Sequence, residues 1–154
     1  MDSFVEKQYR LEDLMPLIRE QLSLGKTVRF SPRGTSMLPM LRQGIDKVVL
    51  SPLPQRLKKY DLPLYQRDNG QYVLHRIVEV GETYTCLGDN QFDKESGLKP
   101  EQMIALVTAF TRGDREYSVS DWRYRVYCRA WYHSRHLRRF YRRAKGWLRR
   151  HLGQ

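Results

Sequence analysis

LPLYQRDNGQYVLHRIVEV, residues 62–80, decides the fold of this chain. Its centre, Asp68-Asn69-Gly70, is a turn sequence, because Asn-Gly supplies the positive φ angles that a tight connection between two twisted strands demands. The flanks are β-branched and aromatic, LPLYQR before the turn and QYVLHRIVEV after it, so the stretch predicts a β-hairpin. Alternation along the second strand puts Val73, His75 and Ile77 on one face and Tyr72, Leu74, Arg76 and Val78 on the other. His75 therefore shares its face with apolar side chains.

Further short strands are read on both sides of the hairpin: VRF (28–30), KVVL (47–50), TYTCL (83–87) and MIALVTAFTR (103–112). A turn at Gly113-Asp114 leads into a last strand, REYSV. Ahead of them Leu11, Leu14, Met15, Ile18 and Leu22 recur at helical spacing and stop before Gly25, which predicts a helix over residues 10–24. Pro16 fits such a helix only near its first turn or at a kink. The expected fold is mainly β, an α+β domain. At 154 residues it is one domain with an appendage, long enough to bury a core.

The net charge of +11 is concentrated at one end. From Asp121 to Gln154 there are 11 Lys/Arg against one Asp, a net of +10, which leaves about +1 for residues 1–120. From Trp122 onward the period is helical again. Tyr124, Tyr127, Trp131, Leu137, Tyr141, Ala144, Leu148 and Leu152 recur at steps near three and four, with most arginines between them. This is a basic amphipathic helix or pair of helices.

Cys86 and Cys128 are far apart and lack metal-ligand spacing, so neither a disulfide framework nor a zinc site is expected, and no cofactor is implied. The acidic start, MDSFVEKQYRLEDL, has no basic n-region and no apolar run resembling a signal peptide or anchor. A cytoplasmic location is the resulting expectation, with the periphery of the inner membrane face as the place to which the basic tail would bring it.

The chemistry-bearing candidates are few. In PRGTSMLPML (32–41) a hydroxyl, Ser36, stands between flexible Gly34 and rigid Pro39. A serine nucleophile needs a constrained, exposed turn, a base, and backbone N–H groups for the oxyanion. Of four histidines, three lie in the basic tail, which leaves His75 as the candidate base. An acidic stretch, CLGDNQFDKESG (86–97), offers Asp89, Asp93 and Glu95 as partners to orient that histidine, and spacing leaves all three open.

Three stretches in this order, GTSMLPMLRQGIDKVVL, KKYDLPLYQRDNGQYVLHRIVEV and YTCLGDNQFDKE, resemble the boxes of the signal-peptidase and LexA-like serine peptidase superfamily. Within it they resemble the histidine-using branch of SipW-type and endoplasmic-reticulum signal peptidases. The resemblance spans residues 28–112 and implies a coiled antiparallel β-sheet domain. Ser36 would be nucleophile and His75 general base, with the backbone N–H of Ser36 and Thr35 as oxyanion hole. Asp89 matches the Asp of the Gly-Asp-Asn box, while Glu95, with Asp93 close by, falls nearest the catalytic Asp of that branch. Two turns depart from the pattern: Ile45 splits the expected Gly-Asp pair at Gly44 and Asp46, and Tyr60 stands where Gly precedes Asp61.

The resulting domain plan is a helical segment (1–25), a signal-peptidase-like β catalytic domain (26–120) and a basic aromatic helical tail (121–154). The implied activity is serine-type endopeptidase cleavage of a peptide or leader. Alternatives are a LexA-like self-cleaving or nucleic-acid-binding regulator, and an inactive peptide-binding homologue. For the tail, the amphipathic pattern favours an anionic membrane surface, where each basic residue contributes about 1 kcal/mol. Nucleic acid is the less favoured partner. Packing of the aromatic stripe on the β body is the third reading.

Overall fold

A computed structural model describes residues 10–152. Residues 1–9, which carry most of the acidic N-terminal stretch, lie outside it, as do 153–154 and the side chain of Leu152.

The first helix, α1 (Leu11–Ser23), buries Met15, Ile18 and Leu22, the stripe that its sequence period marks out. Pro16 lies inside it and cannot donate to the Glu12 carbonyl. The strands that follow are β1 (Val28–Phe30), β2 (Val48–Ser51), β3 (Pro63–Gln66), β4 (Tyr72–Leu74), β5 (Arg76–Val80), β6 (Tyr84–Leu87), β7 (Glu95–Leu98), β8 (Met103–Arg112) and β9 (Arg115–Ser118). Every pairing is antiparallel. One sheet runs in the order β1-β2-β8-β3-β4, with β9 also on β8, and a second runs β5-β6-β7. Among the described residues the result is an α+β fold of antiparallel sheets and three α-helices.

The hairpin forms at Asn69-Gly70, where Gly70 has φ 86 and the Arg67 N–H donates to the Gln71 carbonyl. Its two strands serve two apolar clusters at once. Leu64 and Leu74 join α1, β2 and β8 in one, while Tyr65 and Val73 join Ile77, Tyr84 and Cys86 in the other. Buried Leu64 has no exposed surface, and truncating such a leucine to alanine costs about 2–5 kcal/mol.

The second hairpin strand is not continuous, contrary to the reading of QYVLHRIVEV as one element. It breaks at His75: β4 stays on β3, and β5 leaves to pair with β6 in the other sheet. The break has a local cause. Tyr60 adopts φ 77, its N–H donates to the Ile77 carbonyl at 2.8 Å, and the Ile77 N–H donates to Asp61 at 2.8 Å. This hook occupies β5 where β3 would otherwise have continued alongside it. Tyr60 thus keeps the left-handed backbone for which glycine is the usual residue.

The other rebuilt turn is also tied down. Gly44 has φ 72, and buried Asp46 accepts from the Arg42 backbone and guanidinium and from the Gly113 N–H. Arg42 draws the Asp46 carboxyl down to about 2. β7 emerges at the end of the acidic stretch, for which no strand is expected from the sequence. The tail divides at Ser134 into α2 (Trp122–His133), capped by the Asp121 side chain on the Arg123 N–H, and α3 (Arg135–Leu152). Among the described residues no helix is long and apolar enough to cross a membrane.

Candidate active site

Ser36 lies in the run of turns between Gly34 and Met40. Buried Met37, Met40 and Leu41 anchor that run in the core, and Gly34, at φ 91, donates to Gln43. From the other side Asn90 clamps it: its backbone N–H donates to the Ser36 carbonyl at 2.8 Å and its side chain to the Thr35 carbonyl at 3.1 Å. Gly88 is required for this approach, because a Cβ there would stand 2.8 Å from the Ser36 carbonyl oxygen. Among the described residues, the Ser36 hydroxyl has no hydrogen-bond partner, and the N–H groups of Thr35 and Ser36 donate to no acceptor.

Ser36 and His75 line one cleft of about 410 Å³, together with Arg67, Tyr72, Val73 and Asn90. β4 forms part of its wall and is the terminal strand of its sheet, so its outer backbone edge is unpaired.

Behind the cleft three side chains act on the imidazole. Tyr65 donates its hydroxyl to Glu95 Oε2 at 2.7 Å and lies 3.3 Å from His75 Nδ1. With its single proton given to Glu95, the Tyr65 oxygen accepts from Nδ1–H. Glu95 Oε2 is itself 4.0 Å from Nδ1. Arg67 grips the same carboxylate with two hydrogen bonds of 2.7 Å. The Arg67 hydrogen bonds hold Glu95 below the usual carboxylate range against the effect of burial, and Tyr65 adds to the depression. Burial, reinforced by the hydrogen bond to Glu95, pushes the Tyr65 phenol up, so it stays a donor at neutral pH.

This arrangement fixes the tautomer: the proton sits on Nδ1, and the Nε2 lone pair has no hydrogen-bond partner among the described residues. His75 is 4% exposed, and burial, together with the Arg67 cation, lowers its pKa to about 4. At pH 7 the imidazole is therefore neutral, the form that can accept a proton.

The three acids separate by place. Glu95 reaches His75 because β7 pairs with β6 in the register Cys86↔Glu95. Asp93 is exposed and makes no hydrogen bond or ion pair among the described residues. Asp89 turns the other way, onto Arg76, with two hydrogen bonds of 2.8 Å. Tyr127 also donates to Asp89, and the Trp131 indole to its backbone carbonyl. The remaining donors of Arg76, which is 2% exposed, meet Tyr60 O, Tyr124 Oη, Cys128 Sγ and Met40 Sδ. Burial works against that guanidinium, but Asp89 keeps it charged, well above its ordinary range.

Comparison with family models, with characterised proteins and with solved structures returns no match. The site rests on its own geometry.

Tyr65 and Arg67 join Glu95 beside His75, although the sequence motifs do not single them out. Their signal was present in the hairpin: pairing Tyr65↔Val73 places Tyr65, Arg67, Val73 and His75 on one face. Among the described residues no three His, Cys, Asp or Glu side chains come together to hold a metal ion. Cys86 and Cys128 are free and buried, and burial pushes the Cys86 thiol up to about 12.

Proposed function

We propose that this chain is a serine endopeptidase of signal-peptidase-like type, on the coiled antiparallel β fold of that superfamily. Ser36 is the nucleophile, His75 the general base, and Glu95, acting largely through Tyr65, the acid that orients it. The observation that carries this reading is the shared cleft: Ser36 and His75 both line it, with Nδ1 of the histidine engaged and Nε2 making no hydrogen bond among the described residues.

A peptide fits as an extra strand on the free edge of β4, with its backbone hydrogen-bonded and alternate side chains directed into the cleft. Ser36 Oγ attacks the scissile carbonyl carbon as His75 Nε2 takes its proton. The oxyanion forms against the free N–H groups of Ser36 and Thr35. Imidazolium returns the proton to the departing amine, leaving an acyl ester on Ser36. A water deprotonated by His75 then hydrolyses that ester. Glu95 and Tyr65 stabilise the transient positive charge, which is needed because a base with a pKa near 4 has little intrinsic affinity for the proton.

The test is a peptide library incubated with wild type, Ser36→Ala and His75→Ala and followed by mass spectrometry. Wild type is expected to cut at defined positions and both variants to stop. A wild type that cuts nothing, or variants that cut equally well, would sink the peptidase reading. One observation favours a second reading, a peptide-binding homologue without turnover: no hydrogen bond joins the Ser36 hydroxyl to His75 among the described residues. Saturable peptide binding by wild type with no acyl-enzyme trapped by a fluorophosphonate would establish that reading instead. Apo sites often close this bond only with substrate bound, so catalysis remains first.

A further inference from the structure

An amphipathic helix on a water-soluble body normally turns its apolar stripe inward and its charges outward. α2 obeys: Tyr124 and Cys128 are buried, and Tyr127 and Trp131 stack beside them. α3 does the opposite. Its apolar residues recur at steps of three and four, at Leu137, Phe140, Tyr141, Ala144, Trp147 and Leu148. They form a face directed away from the body: Leu137 is 72% exposed, Phe140 71%, Tyr141 66% and Trp147 55%. The inward face is cationic. Arg138 lies 3.7 Å from the centre of the Trp131 ring and donates to the carbonyls of Trp131 and Asp89. Arg142 lies over Phe92 and donates to Asn90.

We propose that α3 docks this chain on an anionic lipid bilayer, with Phe140, Trp147 and their apolar neighbours entering the headgroup boundary and the helix lying in the membrane plane. Charge decides the occupant. α3 carries eight Lys/Arg and no Asp or Glu, and the basic residues flank the apolar arc on both sides. A second copy would bring two such helices together with no compensating acid on either. Nucleic acid would be met by the arginine face, yet Arg138 and Arg142 on that face are already engaged with the body. What α3 offers to solvent is an aromatic and aliphatic strip edged by cations, which is the pattern of an interfacial helix. Its inner face is joined through Arg142 and Asn90 to the backbone of Thr35 and Ser36, so docking holds the cleft at a fixed distance from the lipid surface. That last consequence for catalysis rests on the peptidase reading; docking itself does not.

The test uses the full chain and vesicles of phosphatidylcholine, alone or with phosphatidylglycerol. The variants are Phe140→Ser/Trp147→Ser and Arg139→Gln/Arg143→Gln/Arg149→Gln, all at exposed positions, with folding checked by circular dichroism. Wild type is expected to co-sediment with the anionic vesicles. Each variant should lose about tenfold or more in partitioning. Brominated lipid should quench a component of wild-type fluorescence that Trp147→Phe lacks.

Wild type left in the supernatant with anionic vesicles overturns the proposal. So does binding that Phe140→Ser/Trp147→Ser retains in full, which is generic polycation attraction. Tight binding to an oligonucleotide that outcompetes the vesicles, or a dimer in solution that Phe140→Ser/Trp147→Ser dissolves, also overturns it in favour of those occupants. Peptide cleavage in the absence of vesicles is scored separately, so failure of docking and failure of the peptidase reading are told apart.

Discussion

His75 and Arg76 are neighbours in sequence and opposites in use. Around His75 the structure leaves something unfinished: an open Nε2, a hydroxyl without a partner, and free N–H groups on the facing turn. Around Arg76 nothing is left over; each guanidinium nitrogen is engaged, and five different side chains or carbonyls close on it. The same two charge types, a cation and a carboxylate, thus do two jobs. Arg67 with Glu95 is partly open to solvent and tunes an imidazole, whereas Arg76 with Asp89 is sealed and joins the sheet to α2. On the peptidase reading, the groups that would react keep unused hydrogen-bonding capacity beside a cleft, and the group that holds the fold keeps none.

That contrast can be broken in order of size. Ser36→Ala should lower kcat/KM by about 10⁴-fold or more while the melting temperature stays put, measured on any cleaved peptide alongside calorimetry. Arg76→Met should do the reverse. It leaves Asp89 buried without its counter-charge, so an unfolding free energy smaller by about 3–5 kcal/mol is expected in urea titration. If Arg76→Met is stable and inactive, the division between the two neighbours is wrong.

Tyr65→Phe sharpens the comparison from within. It removes the acceptor for Nδ1–H and the bridge to Glu95, and a fall of about 10- to 100-fold in kcat/KM is expected, by analogy with the loss of outer-shell partners elsewhere. Its pH profile separates positioning from packing. In wild type the acid limb should lie near 4 rather than near the ordinary 6.5, because a proton reaches His75 only at that pH. Tyr65→Phe should move that limb, while a packing defect alone would leave it in place.

The same shift bears on stability. At His75 the folded chain binds less proton than the unfolded chain between pH 6.5 and 4, so this residue's contribution to stability falls as pH drops through that window. His75→Gln should flatten the fall. Asp46 contributes in a lower window. Its stabilisation is present above 3.8 and is lost as pH falls through about 2.

The smallest effect concerns the hook that separates the neighbours. Tyr60→Gly relieves a left-handed φ that costs a non-glycine residue about 1 kcal/mol. It also removes a ring packed edge-on to Tyr132 and flanked by Arg129. A net change within about 1 kcal/mol is expected in thermal unfolding, with catalysis unaltered.

Much of the scaffold is legible in the sequence because it is local. The 62–80 hairpin follows from Asn69-Gly70, and α1 from the spacing of Met15, Ile18 and Leu22. The break at His75 is not legible, since alternation continues unchanged on both sides of it while the partner strand changes. It depends on Tyr60, fifteen residues earlier and in a conformation its side chain does not advertise. The choice among Asp89, Asp93 and Glu95 was equally out of reach. It is made by β7, a strand that Glu95-Ser96-Gly97 gives little propensity to form, and by Arg76, which claims Asp89. In the tail the aromatic stripe is continuous in sequence, yet Ser134 divides it into a helix that buries its face and a helix that displays it.

The sealed arginine also sets an order of events during synthesis. Its partners lie at residues 40, 60, 89, 124 and 128, so a chain still emerging from the ribosome carries a cation in its half-built core until α2 has cleared the exit. Until then the Gly88-Asp89-Asn90 loop lacks the Tyr127 and Trp131 hydrogen bonds that hold it, and the turn bearing Ser36 lacks a firm clamp. On the peptidase reading, the turn bearing Ser36 therefore reaches its final form only once Tyr127 and Trp131 of α2 have docked on the Asp89 loop.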